Sequence, residues 1–250
     1  MSAAAYDATN NRFEHLFLAM AEELKLPLQH IARQAELQQL LQAGVSETAA
    51  VDALQGLHDI QSSADMSLQL LDSYLLSLRL SLQPETSLQL EPVSVSAVLH
   101  DTMGELRHIA ANYGVTLKLH VQGRYEPVLA HRGALQSALV ALGYAVIEAL
   151  PAAGVRQQHL QLATHRTKQG IVAGVYGELD MLTPQLYRRA QELQGAARQP
   201  LVGTLPGSGA GVFVADAILA AMSSRLRVGR YMKLPGFAVT LPASEQLQLI

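Results

Sequence analysis

The sequence predicts an α+β chain, in which an N-terminal antiparallel helical hairpin precedes an α/β sandwich. Three observations predict it. Up to Leu82 the apolar residues recur at steps of three and four, the spacing of one helical stripe. From Ser87 the texture changes to alternating runs separated by helical ones. Late in the chain a glycine-rich loop, Gly203 to Gly211, opens an apolar helix. The 250 residues, 49% of them apolar, suffice for one large domain or two small ones. The expected division is a loose lead-in over 1–11, the hairpin over 12–84, the α/β domain over 85–244 and a tail over 245–250.

The first helix is expected from Asn11 to Gln42, with its stripe at Phe13, Phe17, Met20, Leu24, Leu28, Ile31 and Ala35. Pro27 interrupts it, and a bend near Leu26 follows from the lost donor and the clash with the preceding turn. Gly44 ends the helix, and Ser46 can cap the next one. The second helix carries Leu54, Leu57, Gln61, Ala64, Leu68, Leu71, Leu75, Leu78 and Leu82, a heptad-type seam broken only by Gln61. A lone hairpin leaves its apolar face half exposed. Two copies are therefore expected to associate as a four-helix bundle, a homodimer in which Gln61 can fix register. Pro84 closes the region.

Leu88 to Val95 alternates as a strand, and Ser96 can cap a helix from Ala97 to about Asn112. After Tyr113-Gly114, residues 115–121 alternate clearly, and Val128 to Ala130 reads as a short strand. An apolar helix runs from Arg132 to Leu150. Residues 160–164 and 170–176 read as paired strands, and a helix is expected near Pro184 to Glu192. The helix after the glycine loop reaches about Ser223. Residues 225–228 and 236–242 form a closing hairpin. The sum is helices packed on one antiparallel-rich sheet.

Composition excludes several functions. A formal net charge of -3 gives no general attraction to nucleic acid or an anionic membrane. Cysteine is absent, so disulfides and thiolate metal sites are excluded. The run from Ser137 to Leu150 is too short to span a bilayer and contains Glu148. No signal peptide is evident at the N-terminus. A cytoplasmic protein without membrane insertion is expected.

The stretch Phe17 to Ile31 resembles the histidine box of sensor histidine kinases, through Phe17, Ala19, Glu23, Leu24, Lys25 in place of arginine, Pro27, Leu28 and Ile31. Glu22 stands where the family has its phosphate-accepting histidine. Leu26 stands where the family has the threonine or asparagine that orients water for dephosphorylation. The order of elements after Ser87 is similar to the family's ATP-binding domain, the fold shared with gyrase, the Hsp90 chaperones and mismatch-repair ATPases. Gly236-Phe237-Ala238-Val239-Thr240-Leu241-Pro242 resembles that domain's last strand. The resemblance covers about Phe13 to Pro242.

The resemblance also implies three nucleotide boxes. In the first, asparagines hold magnesium and phosphate; Ala141 and Ala145 replace them here, and a methyl group cannot ligate a metal. In the second, an aspartate accepts from the adenine amino group; Gly177 falls at that position, and Leu179 and Met181 replace glycines. Loss of that acceptor is expected to remove most base selectivity, and Asp180 could take the role only by a register shift. The third survives as Gly207-Ser208-Gly209-Ala210-Gly211, a loop that can offer backbone donors to an anion or simply serve the turn. No cofactor is expected: ATP and magnesium binding are read as lost, and no metal site is expected.

His15 sits on nearly the helical face of Glu22, and His30 lies about 80° from it. Either is an ordinary surface histidine or an alternative phosphoacceptor. His58 and His131 are read as ordinary histidines, and His159 and His165 lack metal-type spacing. Arg225, Arg227, Arg230 and Lys233 form a solvated face or a partner contact. Two functions follow. One is an inactive histidine-kinase-like adaptor or regulator of two-component signalling, dimeric, docking a response regulator receiver domain or a partner histidine kinase. The other is a phosphotransferase relaying phosphate through His15 or His30 without ATP.

Overall fold

In a computed structural model, residues 24, 28–29, 31–36, 47–82, 88–150, 158–179, 182 and 210–244 are described. Leu24, residues 28–29 and residues 31–36 are helical, in keeping with the first stripe. Leu24 packs against the main core, while Leu28 is exposed. Pro27 and the helix expected near Pro184 to Glu192 lie outside the described residues.

Helix α1 (Glu47–Leu82) starts directly after Ser46. The seam expected from the sequence is not the face that enters the core. Leu57, Leu68 and Leu75 are exposed, whereas Leu70, Tyr74 and Leu80 on the other side enter the core together with buried Ser63, Ser73 and Ser77. That second face packs on the helix after the glycine loop and on the long apolar helix before it. Serines there keep the approach close.

Beyond α1 the chain runs through β1 (Glu91–Val93), α2 (Val95–Asn112), β2 (Thr116–Val121), β3 (Val128–Ala130), α3 (Arg132–Ala149), β4 (His159–Thr167), β5 (Gly170–Gly177), α4 (Ala210–Ala221), β6 (Leu226–Tyr231) and β7 (Leu234–Leu241). β1 and β3 form a small antiparallel pair. The main sheet has the order β2-β4-β5-β7-β6, parallel only between β2 and β4. One face of it carries Leu160, Leu162, Ile171, Ala173, Val175, Phe237 and Val239 into a core shared with α2, α3 and α4.

Three expectations need correction. The strand expected over 88–95 is only Glu91–Val93; Pro92 sits in it and has no N–H to extend a ladder. The cap of α2 is Ser94 rather than Ser96: its backbone is extended and its side chain accepts the Ala97 N–H at 3.4 Å. The closing hairpin is longer than expected, because Met232 and Lys233 alone make the turn, with φ of 48° and 73°.

Gly104 lies exposed inside α2, and a methyl group there would meet nothing within 4 Å. Gly104→Ala is therefore expected to stabilise the fold by about 0.5–1 kcal/mol through reduced unfolded-state entropy. A raised midpoint in urea denaturation is the check.

Candidate functional site

The described positions that the resemblance assigns to nucleotide boxes, Ala141, Ala145, Gly177 and Gly211, lie in or against α3. This helix is apolar nearly all round, which suits burial on all sides, and its residues from Ala138 to Ile147 are buried. It begins at a cap the sequence did not advertise: His131, extended in backbone, accepts the Ala134 N–H through Nδ1 at 3.1 Å. Histidine is an uncommon cap, and only its place just before the apolar run could have signalled it. Arg132 pairs with Asp101 at 2.6 Å on the exposed side.

Ala141 and Ala145 face the first turn of α4. Ala141 is 2% and Ala145 4% exposed. A methyl group at Gly211 would collide with the Ala141 carbonyl oxygen and lie 3.3 Å from the Ala145 methyl. The last glycine of the loop is thus the point where two helices meet backbone to backbone. What faces Gly211 is the Ala141 backbone carbonyl and the Ala145 methyl, and an alanine side chain at 141 or 145 offers no oxygen to a metal ion.

Gly177 ends β5 opposite Leu160 and is buried. The space into which a side chain would project holds Val146 Cγ1 and Leu150 Cδ2, each 3.1 Å from the would-be β-carbon. The following residues turn back into the core, with Leu182 N–H donating to the Leu179 carbonyl at 3.1 Å and both leucines buried. A side chain at position 177 would meet two aliphatic groups and, at 3.6 Å, the His159 carbonyl oxygen, surroundings that do not suit a carboxylate that reads a base.

Glu148, near the end of α3, is half-buried. Burial, with a lesser push from the Glu148 carboxylate, raises the Tyr113 phenol to about 12. Glu22, Glu23, Leu26, His15, His30, Gly207 and Gly209 lie outside the described residues. Of the sequence-derived positions, the structure brings together Ala141, Ala145 and Gly211, and sets Gly177 against the last two turns of α3.

His120 and His165 lie elsewhere, on the face of the sheet opposite the helices. His165 Nδ1 is buried without a hydrogen-bond partner among the described residues, and desolvation lowers the pKa of the ring. The folded state then binds its proton less readily than the unfolded chain. Stability from this group is complete above the ordinary value of 6.5 and is lost as pH falls below it. Tyr176 has the opposite sign: burial, then Tyr231, raises it to about 12, so stability declines as pH climbs above 10. Urea midpoints measured from pH 5 to 11 are expected to form a plateau with both flanks falling. The acid flank is expected to shrink in His165→Phe.

No family model matches the chain, and no curated protein matches it in sequence. Its fold does match solved structures. One is the histidine kinase AdeS of Acinetobacter baumannii, 16% identical, covering 90% of this chain and 98% of that one with a TM-score of 0.50. Another is full-length ShkA in complex with AMPPNP, 15% identical with a TM-score of 0.52. It covers 87% of this chain, which spans 46% of that chain. Among the described residues no helix is long and apolar enough to cross a membrane. The order of elements, the mixed sheet and these matches together give the chain a fold of the histidine-kinase core type.

Proposed function

We propose that this protein is a histidine-kinase-like regulator without kinase chemistry, acting as a dimeric adaptor in two-component signalling. One observation carries the reading. Where the resemblance places the metal-binding asparagines, two buried alanines contact the final glycine of the loop, and helix packs on helix. Phosphoryl transfer depends on positioning and on charge neutralisation by metal and donors. A site with methyl groups at the ligand positions, an aliphatic wall behind Gly177 and glutamate for the phosphoacceptor supplies neither.

The exposed Leu57, Leu68 and Leu75 support the dimer. They form an apolar line that a second copy's helix covers in a four-helix bundle. The adaptor docks a response regulator receiver domain or pairs with a partner kinase through this arm. Glu22 keeps a negative charge at the phosphoacceptor's place.

The test is incubation of the purified chain with radioactive ATP and magnesium. No label on protein, no ADP and no ATP-dependent shift in melting temperature are expected; any of the three overturns the reading. Incubation with a phosphorylated receiver domain separates the alternative. Label that transfers to this chain, and disappears in His15→Ala or His30→Ala, would make it a phosphotransferase. Leu68→Glu with Leu75→Glu is expected to yield monomers by light scattering.

A further inference from the structure

The second face of the sheet is built unlike the first. The five strands of the main sheet contain no aspartate or glutamate. Tyr231 is buried on this face. Its hydroxyl lies 2.7 Å from His120 Nδ1, and its ring stacks on His165 at 5.3 Å and tilts against Tyr176 at 5.4 Å. Gln161 Nε2 donates to Met232 Sδ at 3.9 Å. The end of the β6–β7 hairpin is thus held against the sheet by an aromatic anchor.

The turn beyond the anchor is strained. Met232 and Lys233 both have positive φ, the pattern of a type I′ turn, which favours asparagine and glycine. A residue with a β-carbon there costs about 1–2 kcal/mol. Apart from the Gln161 contact to its sulfur, Met232 is 65% exposed, and Arg230 and Lys233 are exposed on either side of it. Neither cation has a carboxylate partner among the described residues. Local strain that persists without serving the core marks a segment kept for another use. A thioether is an adaptable docking group.

We propose that Arg230, Met232 and Lys233 form a docking tip for a protein surface with an apolar recess rimmed by carboxylates. The proposal goes beyond the signalling role, since it assigns a second partner surface away from the helical arm. Nucleic acid fits less well. Tyr176 and Tyr231 are buried against each other and the histidines, so their rings are not free to stack on bases. Two cations without a carboxylate partner among the described residues attract carboxylates at contact.

The test is fluorescence anisotropy of the full chain with a labelled peptide of alternating Glu and Leu. Saturable binding is expected, weakened about tenfold when Gln replaces Glu in the peptide. A similar loss is expected in Arg230→Glu with Lys233→Glu, and in Met232→Ser. A second variant keeps the test independent of folding. Met232→Asn with Lys233→Gly suits the turn and is expected to raise the melting temperature while abolishing peptide binding. Absence of saturable binding, equal binding of the Gln peptide or unchanged binding by the variants would overturn the proposal. So would tighter binding of oligothymidine, or a lower melting temperature in the Asn-Gly variant.

Discussion

Gly211→Val is expected to destabilise the protein by about 3 kcal/mol, the upper part of the range for overpacking a tight contact. The obstacle is the Ala141 carbonyl, which is backbone and cannot rotate away as a side chain can. Nor can α3 readily retreat, because its residues from Ala138 to Ile147 are all buried. In a chain of this size the loss corresponds to a fall in melting temperature of roughly 6–12 °C. Thermal unfolding followed by circular dichroism measures it, with Gly104→Ala as a glycine replacement of the opposite sign. An unchanged melting temperature would mean that the two helices separate without cost, and that the contact does not close the site.

Gly177→Asp is expected to cost more, upward of about 3 kcal/mol, because it places a carboxylate against Val146 and Leu150. Such a group ionises less readily in the folded state than in the unfolded chain. Its folded pKa is raised, so the deficit is expected to shrink as pH falls toward 4. Gly177→Ala keeps the crowding without the charge and is expected to cost about 1 kcal/mol. Urea midpoints of the three proteins at pH 7 and pH 4.5 test this. Gly177→Asp is also the substitution that would bring back the family's base-reading acid. No gain of ATP binding is expected, because the alanines at 141 and 145 remain. A variant that binds ATP and keeps its midpoint would show that the aliphatic wall opens readily.

Much of the fold could be read from periodicity. Alternation located β2, and the strongly apolar run from Arg132 to Leu150 announced the helix α3. What escaped was set by long-range geometry. Ser63, Ser73 and Ser77 read as polar positions on α1, yet they are buried where it crosses α4. The Met232-Lys233 turn carries no glycine or asparagine to mark it, so the hairpin's length was hidden until the register of β6 and β7 was known. At the candidate site, positions 141, 145 and 177 came from a family resemblance. The collision that a side chain at Gly211 would suffer came only from the structure, since it joins residues seventy apart in the chain.

The double-sided character of α1 has a mechanical consequence. Leu70, Tyr74 and Leu80 belong to the same apolar cluster as Phe237 and Val239 in the middle of the sheet. The C-terminal half of the arm therefore cannot melt without opening the sandwich beneath it, and the two unfold as one cooperative unit. Because the arm packs on α4, a twist applied along it is expected to reach that helix directly, as a shaft keyed to its wheel turns it.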